Sequence, residues 1–452
     1  MIMMEFDEVA SIIKKGDSVE LRKIFETGRF TDINCRQVIQ RCFGCYSLNY
    51  NGPTLLMMAC ETGYIDCVRV LLDYKADFNY DSKKDLSILA YACRSGSVDM
   101  VHFIINSSGL TICDEVIMNA FQSETIMRNT EISFILLEYI KDINFHGDDS
   151  FLCYASKAGN VAIVRSLLER GADPSTYGTA LFVASSGGHL EVVKLLLTWG
   201  AIDKPTAEEN LSLALDQASS YGHIEIVRYL CEYGVVASTL TGALHTAVQC
   251  DKLHIVEYLI SIGTECNINT MSDVRLLSWA CGSGFVDVAR LLVSRGADPN
   301  TIDHEGNTPF RNALRYPAIL KILLTEGGVN PNMHFIDGRT PIIDVVIRCY
   351  YMSLKIASES LLLLLQYGAD PNLAHADTGD TPLMTAARDY TEIECTDLVE
   401  LLLEYGADVT HKNRAGKTVL DRLGDGKQYK EVVDLCKKYL DINIPGAKPI
   451  LK

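Results

Sequence analysis

Apolar residues recur along this chain in paired runs at helical spacing. In "VDVARLLV" (286–293) Val288, Ala289, Leu292 and Val293 fall on one face, and "IEIVRYL" (224–230) and "LEVVKLLL" (190–197) repeat the arrangement. Ahead of each lies a shorter run rich in small residues, as in "LLMMAC" (55–60) and "TALFVASS" (179–186). The pattern predicts short helices that come in pairs. In "SRGADPNTIDHEGNTPF" (294–310) Gly296 stands where a left-handed residue ends a helix, and Thr308 where a hydroxyl can cap the next. Pro309 suits a first helical position, and Asp303 and Gly306 suit a tight turn between.

The same order returns in "YGADPN" (367–372) before "DTGDTPLMTAA", in "YGADVT" (405–410) before "NRAGKTVL", and in worn form in "ERGADPS", "DYKADFN" and "NGPTLLMMACETGYIDCVRVLL". Gly63 and Gly96 are 33 residues apart, Gly188 and Gly222 are 34, and Asp251 and Gly284 are 33. That period, with a Thr-Pro-Leu-His-like helix start, resembles the ankyrin repeat. The resemblance implies an all-α ankyrin-repeat solenoid of about thirteen helix-turn-helix units with hairpin loops.

Residues 1–50 are expected to form a capping helical pair and a linker, 51–440 the array, and 441–452 a tail. The Thr slot is filled at Ser150, Thr179, Leu213, Gly242, Arg275, Thr308, Thr340, Thr381 and Thr418. Segment 112–144 is degenerate, lacking its turn Gly and its Gly-Ala-Asp ending, and is expected to be the weakest joint. Thr340 to Thr381 and Thr381 to Thr418 are long intervals, so inserted loops are expected at 348–360 and 390–397.

A net charge of −17 argues against nucleic acid, whose binders need a dense cationic surface. The longest apolar run, "LLLLL" at 361–365, is far short of a membrane span, and "MIMMEFDEVA" lacks the basic start of a secretory signal. Scattered cysteines in small-residue positions (Cys60, Cys93, Cys153 and Cys281) read as reduced core thiols. A cytoplasmic chain is expected, the nucleus being the alternative, and a monomer.

Chemistry is sparse. His245 takes the His slot of the repeat, which by resemblance ties hairpin to helix, and Asp251 and His254 add no nucleophile. Cys42 and Cys45 have metal-ligand spacing, with Cys35 and Cys60 nearby, but one such pair does not make a four-ligand zinc site. "GDGK" at 424–427 lacks the phosphate-loop spacing, and Glu208 and Glu209 complement a helix dipole. No cofactor, metal or catalytic residue is expected.

The resemblance places ligand contacts on the inner helices and hairpin tips. Aligned on the Thr slots, the late repeats put Arg315 with Tyr316, Arg348 and Arg388 there, and the hairpins add Arg339, Arg414 and Lys417. This cationic, aromatic stripe suits an acidic or phosphorylated protein segment. Asn79, Asn300 and Asn372 match the Leu-x5-Asp-x-Asn context in which the family can be hydroxylated. The expected function is a non-enzymatic protein-interaction scaffold. The alternatives are an adaptor recruiting substrates to a ubiquitin ligase or another enzyme, and an enzyme with its site in an irregular segment.

Overall fold

Gly296 and Thr308 mark a helix end and a helix start, as the pattern predicts. At φ 89° Gly296 closes helix Val286–Ser294, with its N–H on the Val293 carbonyl at 2.9 Å and that of Ala297 on Leu292 at 3.0 Å. Thr308 Oγ1 accepts from the Arg311 N–H at 3.1 Å, and Pro309 begins the next helix. The computed structural model describes residues 5–30, 33–34, 36–43, 46–78, 87–107, 112–122, 129–145, 150–173, 176–200, 207–262, 274–303, 305–349, 351–388, 396–423 and 430–442.

Two compact units divide the chain, Met1–Val235 and Val236–Lys452. In the first, the pair Phe6–Lys14 and Ser18–Glu26 precedes six inner–outer pairs that run from Leu55–Thr62 with Ile65–Asp73 to Ala207–Tyr221 with Ile224–Tyr233. The second holds six more, from Ala237–Gln249 with Leu253–Ser261 to Val419–Leu423 with Lys430–Ile442. Each core is a row of side chains shared between successive pairs, such as Leu167, Leu196 and Leu230 in the first unit and Leu292, Leu323 and Leu364 in the second.

Three local features depart from the sequence reading. The linker expected before residue 51 holds an antiparallel hairpin, Arg36–Phe43 paired with Tyr46–Thr54, with Ile39 opposite Tyr50 and Phe43 opposite Tyr46. Val, Ile, Phe and Tyr favour strands, and no Ala-rich run competes there. The interval after Thr340 is lengthened mainly by helix: Ser353 caps Leu354–Gln366, 13 residues where Val286–Ser294 has nine, so extra helical turn replaces most of the loop expected at 348–360. Leu213 and Gly242 lie inside helices Ala207–Tyr221 and Ala237–Gln249, because neither has a side-chain oxygen to accept from first-turn amides and the helix starts upstream. The loop expected at 390–397 falls largely outside the described residues.

Segment 112–144 forms helices Asp114–Phe121 and Thr130–Glu138, the second capped by Asn129. Its Phe121 packs edge-on against Phe151 of the next pair, centroids 5.1 Å apart and both rings fully buried.

Asp251 occupies a glycine turn at φ 56°, a conformation that costs an L side chain about 1 kcal/mol, and burial and Asp287 both raise its carboxyl pKa. Asp251→Gly removes both burdens and should stabilise the second unit by about 1 kcal/mol. A denaturant midpoint that stays or falls contradicts this.

Candidate ligand groove of the second unit

Two inner helices and one hairpin of the second unit converge on a buried carboxylate. Asp344 lies in helix Pro341–Arg348 between Ile343 and Val345 and is 0% exposed. Three guanidiniums serve it. Arg311, from the preceding inner helix, donates Nε to Oδ2 at 3.2 Å and Nη2 to Oδ1 at 2.8 Å. Arg339, from the hairpin, reaches Oδ1 at 3.3 Å, and Arg348, one turn along the same helix, reaches Oδ2 at 2.6 Å. Arg311 also binds Asp337 at 2.6 Å and stacks over the Phe335 ring at 4.8 Å.

Burial alone would lower the pKa of Arg311, but its bonds to Asp344 and Asp337 outweigh that and raise it. Asp337 mirrors it: burial pushes its carboxyl up, yet the bond from Arg311 holds it below the ordinary value. The Arg311 side chain is 8% exposed, whereas Arg339 and Arg348 are 35% and 28% exposed. Their outer edges are therefore open while their inner edges are fixed.

Arg339 and Arg348 are thus brought together. Arg315 and Tyr316 are not in the groove slot, because helix Pro309–Ala313 is short: from Thr308 to Tyr316, which caps the outer helix, is eight residues, where Thr54 to Tyr64 is ten. Alignment on Thr308 therefore overshoots by two. Tyr316 sits in the inter-helix turn with its ring over Gly284, where a Cβ would come within 2.5 Å of Cε1. Arg315 is exposed and makes no ion pair among the described residues. Arg414 donates Nη2 to the Ala376 carbonyl at 2.6 Å, tying two hairpins. The side chain of Arg388 lies outside the described residues, as do Asn79 and the Cys42–Cys45 pair.

In the first unit Arg94, in a corresponding slot, is neutralised by Glu61 at 3.0 Å. Sequence reading missed Arg311. Its signal was an arginine directly after "TPF", a position facing the next repeat, matched 33 residues on by an acid inside the apolar run "PIIDVVI".

The hairpin asparagines fasten neighbouring hairpins. Asn372 donates Nδ2 to Gly406 at 3.0 Å and accepts from the Asp408 N–H at 2.7 Å. Asn332 does the same with Gly368 and Asp370, at 2.8 and 2.6 Å. Asn300 instead bonds its own Asp298, at 2.9 Å through N–H and 3.2 Å through Nδ2.

A profile of ankyrin repeats matches residues 29–115, 118–208, 152–241, 207–271, 244–335 and 350–445. The chain belongs to the ankyrin-repeat family. Among ankyrin relatives, it is 27% identical over 281 residues to the ankyrin repeat and KH domain-containing protein mask-1 of Caenorhabditis elegans, covering 61% of this chain and 10% of that one. It is 29% identical over 187 residues to the B-cell lymphoma 3 protein homolog of Mus musculus, covering 39% of each. The chain therefore spans less than half the length of these curated relatives. The crystal structure of the ankyrin repeat domain of Bcl-3, a member of the IkappaB protein family, is 27% identical and aligns at a TM-score of 0.38 over 46% of this chain and 88% of that one. Ankyrin repeats indicate a protein-interaction scaffold.

Among the described residues no helix is long and apolar enough to cross a membrane, and no group of His, Cys, Asp and Glu could hold a metal ion.

Proposed function

We propose that this ankyrin array is a non-enzymatic scaffold whose second unit holds an acidic protein segment against Arg339 and Arg348. The arrangement around Asp344 carries the reading. One buried carboxylate fixes the inner edges of two guanidiniums while their outer edges stay open, and this positive patch stands on a chain of net charge −17. Ordering these side chains is part of folding, so a ligand meets them already placed. An arginine fork suits a carboxylate bidentately. Arg315, exposed and without an ion pair among the described residues, adds long-range attraction.

A reducing compartment, cytoplasm or nucleus, fits the thiols. None of the described cysteines forms a disulfide, and burial pushes Cys93 up to about 12 and Cys67, Cys231 and Cys436 up to about 11.

Arg348→Gln combined with Arg315→Glu tests the proposal, since glutamine can still donate to Asp344. The fold should hold, and partner recovery on the immobilised chain should fall by the equivalent of about 2 kcal/mol, the loss of one interface anchor. If the variant recovers the same partners with the same salt sensitivity, the groove is not the docking site.

A further inference from the structure

The charge count of the network selects among anions. Three guanidiniums, Arg311, Arg339 and Arg348, face two carboxylates, Asp337 and Asp344, which leaves one positive charge in the bonded cluster. We infer that the site takes the side-chain carboxylate of an aspartate or glutamate flanked by apolar residues, in preference to a phosphorylated residue. The inference rests on the proposed acidic-segment reading and narrows it.

A carboxylate brings one negative charge and neutralises the cluster. A phosphoryl group brings about −1.5 to −2 at neutral pH, so its second charge would stand against Asp337 and Asp344 on an already acidic chain. Donor geometry points the same way. Arg348 gives its Nε to Asp344, and Arg339 gives Nη1 to Asp344 with its Nε 3.5 Å from Asp337, so both guanidiniums keep N–H groups on their open edges while Asp344 fixes them side by side. Two fixed donors converging from neighbouring elements match the two oxygens of a carboxylate.

The apolar flank comes from residues on either side. Ile336 precedes Asp337 at the hairpin tip and is 76% exposed, and Tyr351 follows Arg348 by one turn and is 82% exposed. The Tyr351 N–H donates to the Arg348 carbonyl at 2.9 Å, so the ring projects from the turn that ends the Arg348 helix. Ile336 lies over Gly306 of the preceding hairpin, close enough that a Cβ there would meet its Cγ2 at 2.8 Å. Large apolar side chains left open beside a pinned charge are the composition of an interface hot spot with its rim.

Fluorescent peptides of about nine residues test the inference by anisotropy against the full chain, with central triplets Ile-Asp-Leu, Ile-Asn-Leu, Ile-phosphoserine-Leu and Gly-Asp-Gly in a mixture of neutral small residues. The Ile-Asp-Leu set should bind best, the asparagine set roughly tenfold or more weaker, and the phosphoserine set no tighter than the aspartate set. Arg339→Gln with Arg348→Gln should erase the aspartate–asparagine difference. Ile336→Ser with Tyr351→Ser, both on exposed side chains, should bring Ile-Asp-Leu down to Gly-Asp-Gly, and melting temperature confirms the fold of each variant. Tighter phosphoserine binding overturns the carboxylate inference and leaves the acidic-segment reading standing. Equal binding of Ile-Asp-Leu and Gly-Asp-Gly overturns the apolar flank. Equal binding of aspartate and asparagine, no binding by any set, or indifference to the arginine variants overturns both readings.

Discussion

Asp344→Ala should destabilise the second unit by about 3–5 kcal/mol, the range seen when one partner of a buried ion pair is removed. The reason is the group left behind. Arg311 is 8% exposed and would keep only Asp337, itself partly solvated and shared with Arg339, while Arg348 would lose the acid that holds it. Thermal unfolding of the full chain reads the effect. A double variant, Arg311→Met with Asp344→Leu, separates charge from packing: apolar replacement of both should recover most of the loss, because the remaining arginines can reach solvent. If the double variant melts as low as Asp344→Ala, the loss came from misfitted packing and the network is not what holds these repeats together.

Gly188→Ala should cost the first unit about 2–3 kcal/mol, by two additive routes. Gly188 sits at φ 77°, where a side chain is strained, and a Cβ would stand 2.6 Å from Cε1 of His223. That imidazole cannot give way freely, since its Nε2 bonds the Ser186 carbonyl at 2.9 Å and its ring stacks with Tyr221. His189 makes the same bond one repeat earlier, to the Lys157 carbonyl at 2.8 Å. Gly96, at φ 73° with nothing within reach of an added Cβ, is the control: Gly96→Ala carries the backbone strain alone and should cost visibly less. Equal losses would show that the imidazole contact contributes nothing.

Helices were legible in this chain because their ends carry dedicated chemistry. Gly-Ala-Asp closes one and Thr-Pro opens the next, and Thr308 and Thr340 both cap as their residue types require. Legibility failed where that chemistry is missing. Leu213 and Gly242 lack the hydroxyl that starts a helix in this slot, so their helices begin upstream of them, and the 36–54 hairpin follows strand propensities that a repeat pattern does not register. The groove was half legible. Arg339 and Arg348 could be placed by counting from a hairpin and a cap, but Arg315 and Tyr316 could not, since a helix two residues short shifts everything after it. Arg311 and Asp344 come from different repeats, and sequence distance hides a bond made only when repeats stack.

The fastenings between successive hairpins in the second unit differ in kind. From the 329–339 hairpin onward the hairpin-to-hairpin bonds are amide bonds, through Asn332, Asn372, the Ala376 N–H on the Gly338 carbonyl and the Arg414 N–H on that of Thr378, with the Arg422–Asp380 ion pair beside the last of them. One step earlier Asn300 turns back on its own hairpin, and the Arg311–Asp337 ion pair makes the crossing. Mobile ions screen a charge pair according to its exposure, which here is confined to the Asp337 end at 36%, and they leave neutral amide bonds nearly untouched. Raising the ionic strength therefore softens the Asp337 side of this crossing while the buried Arg311–Asp344 pair keeps it closed, and the play between these two repeats becomes a property of the surrounding electrolyte.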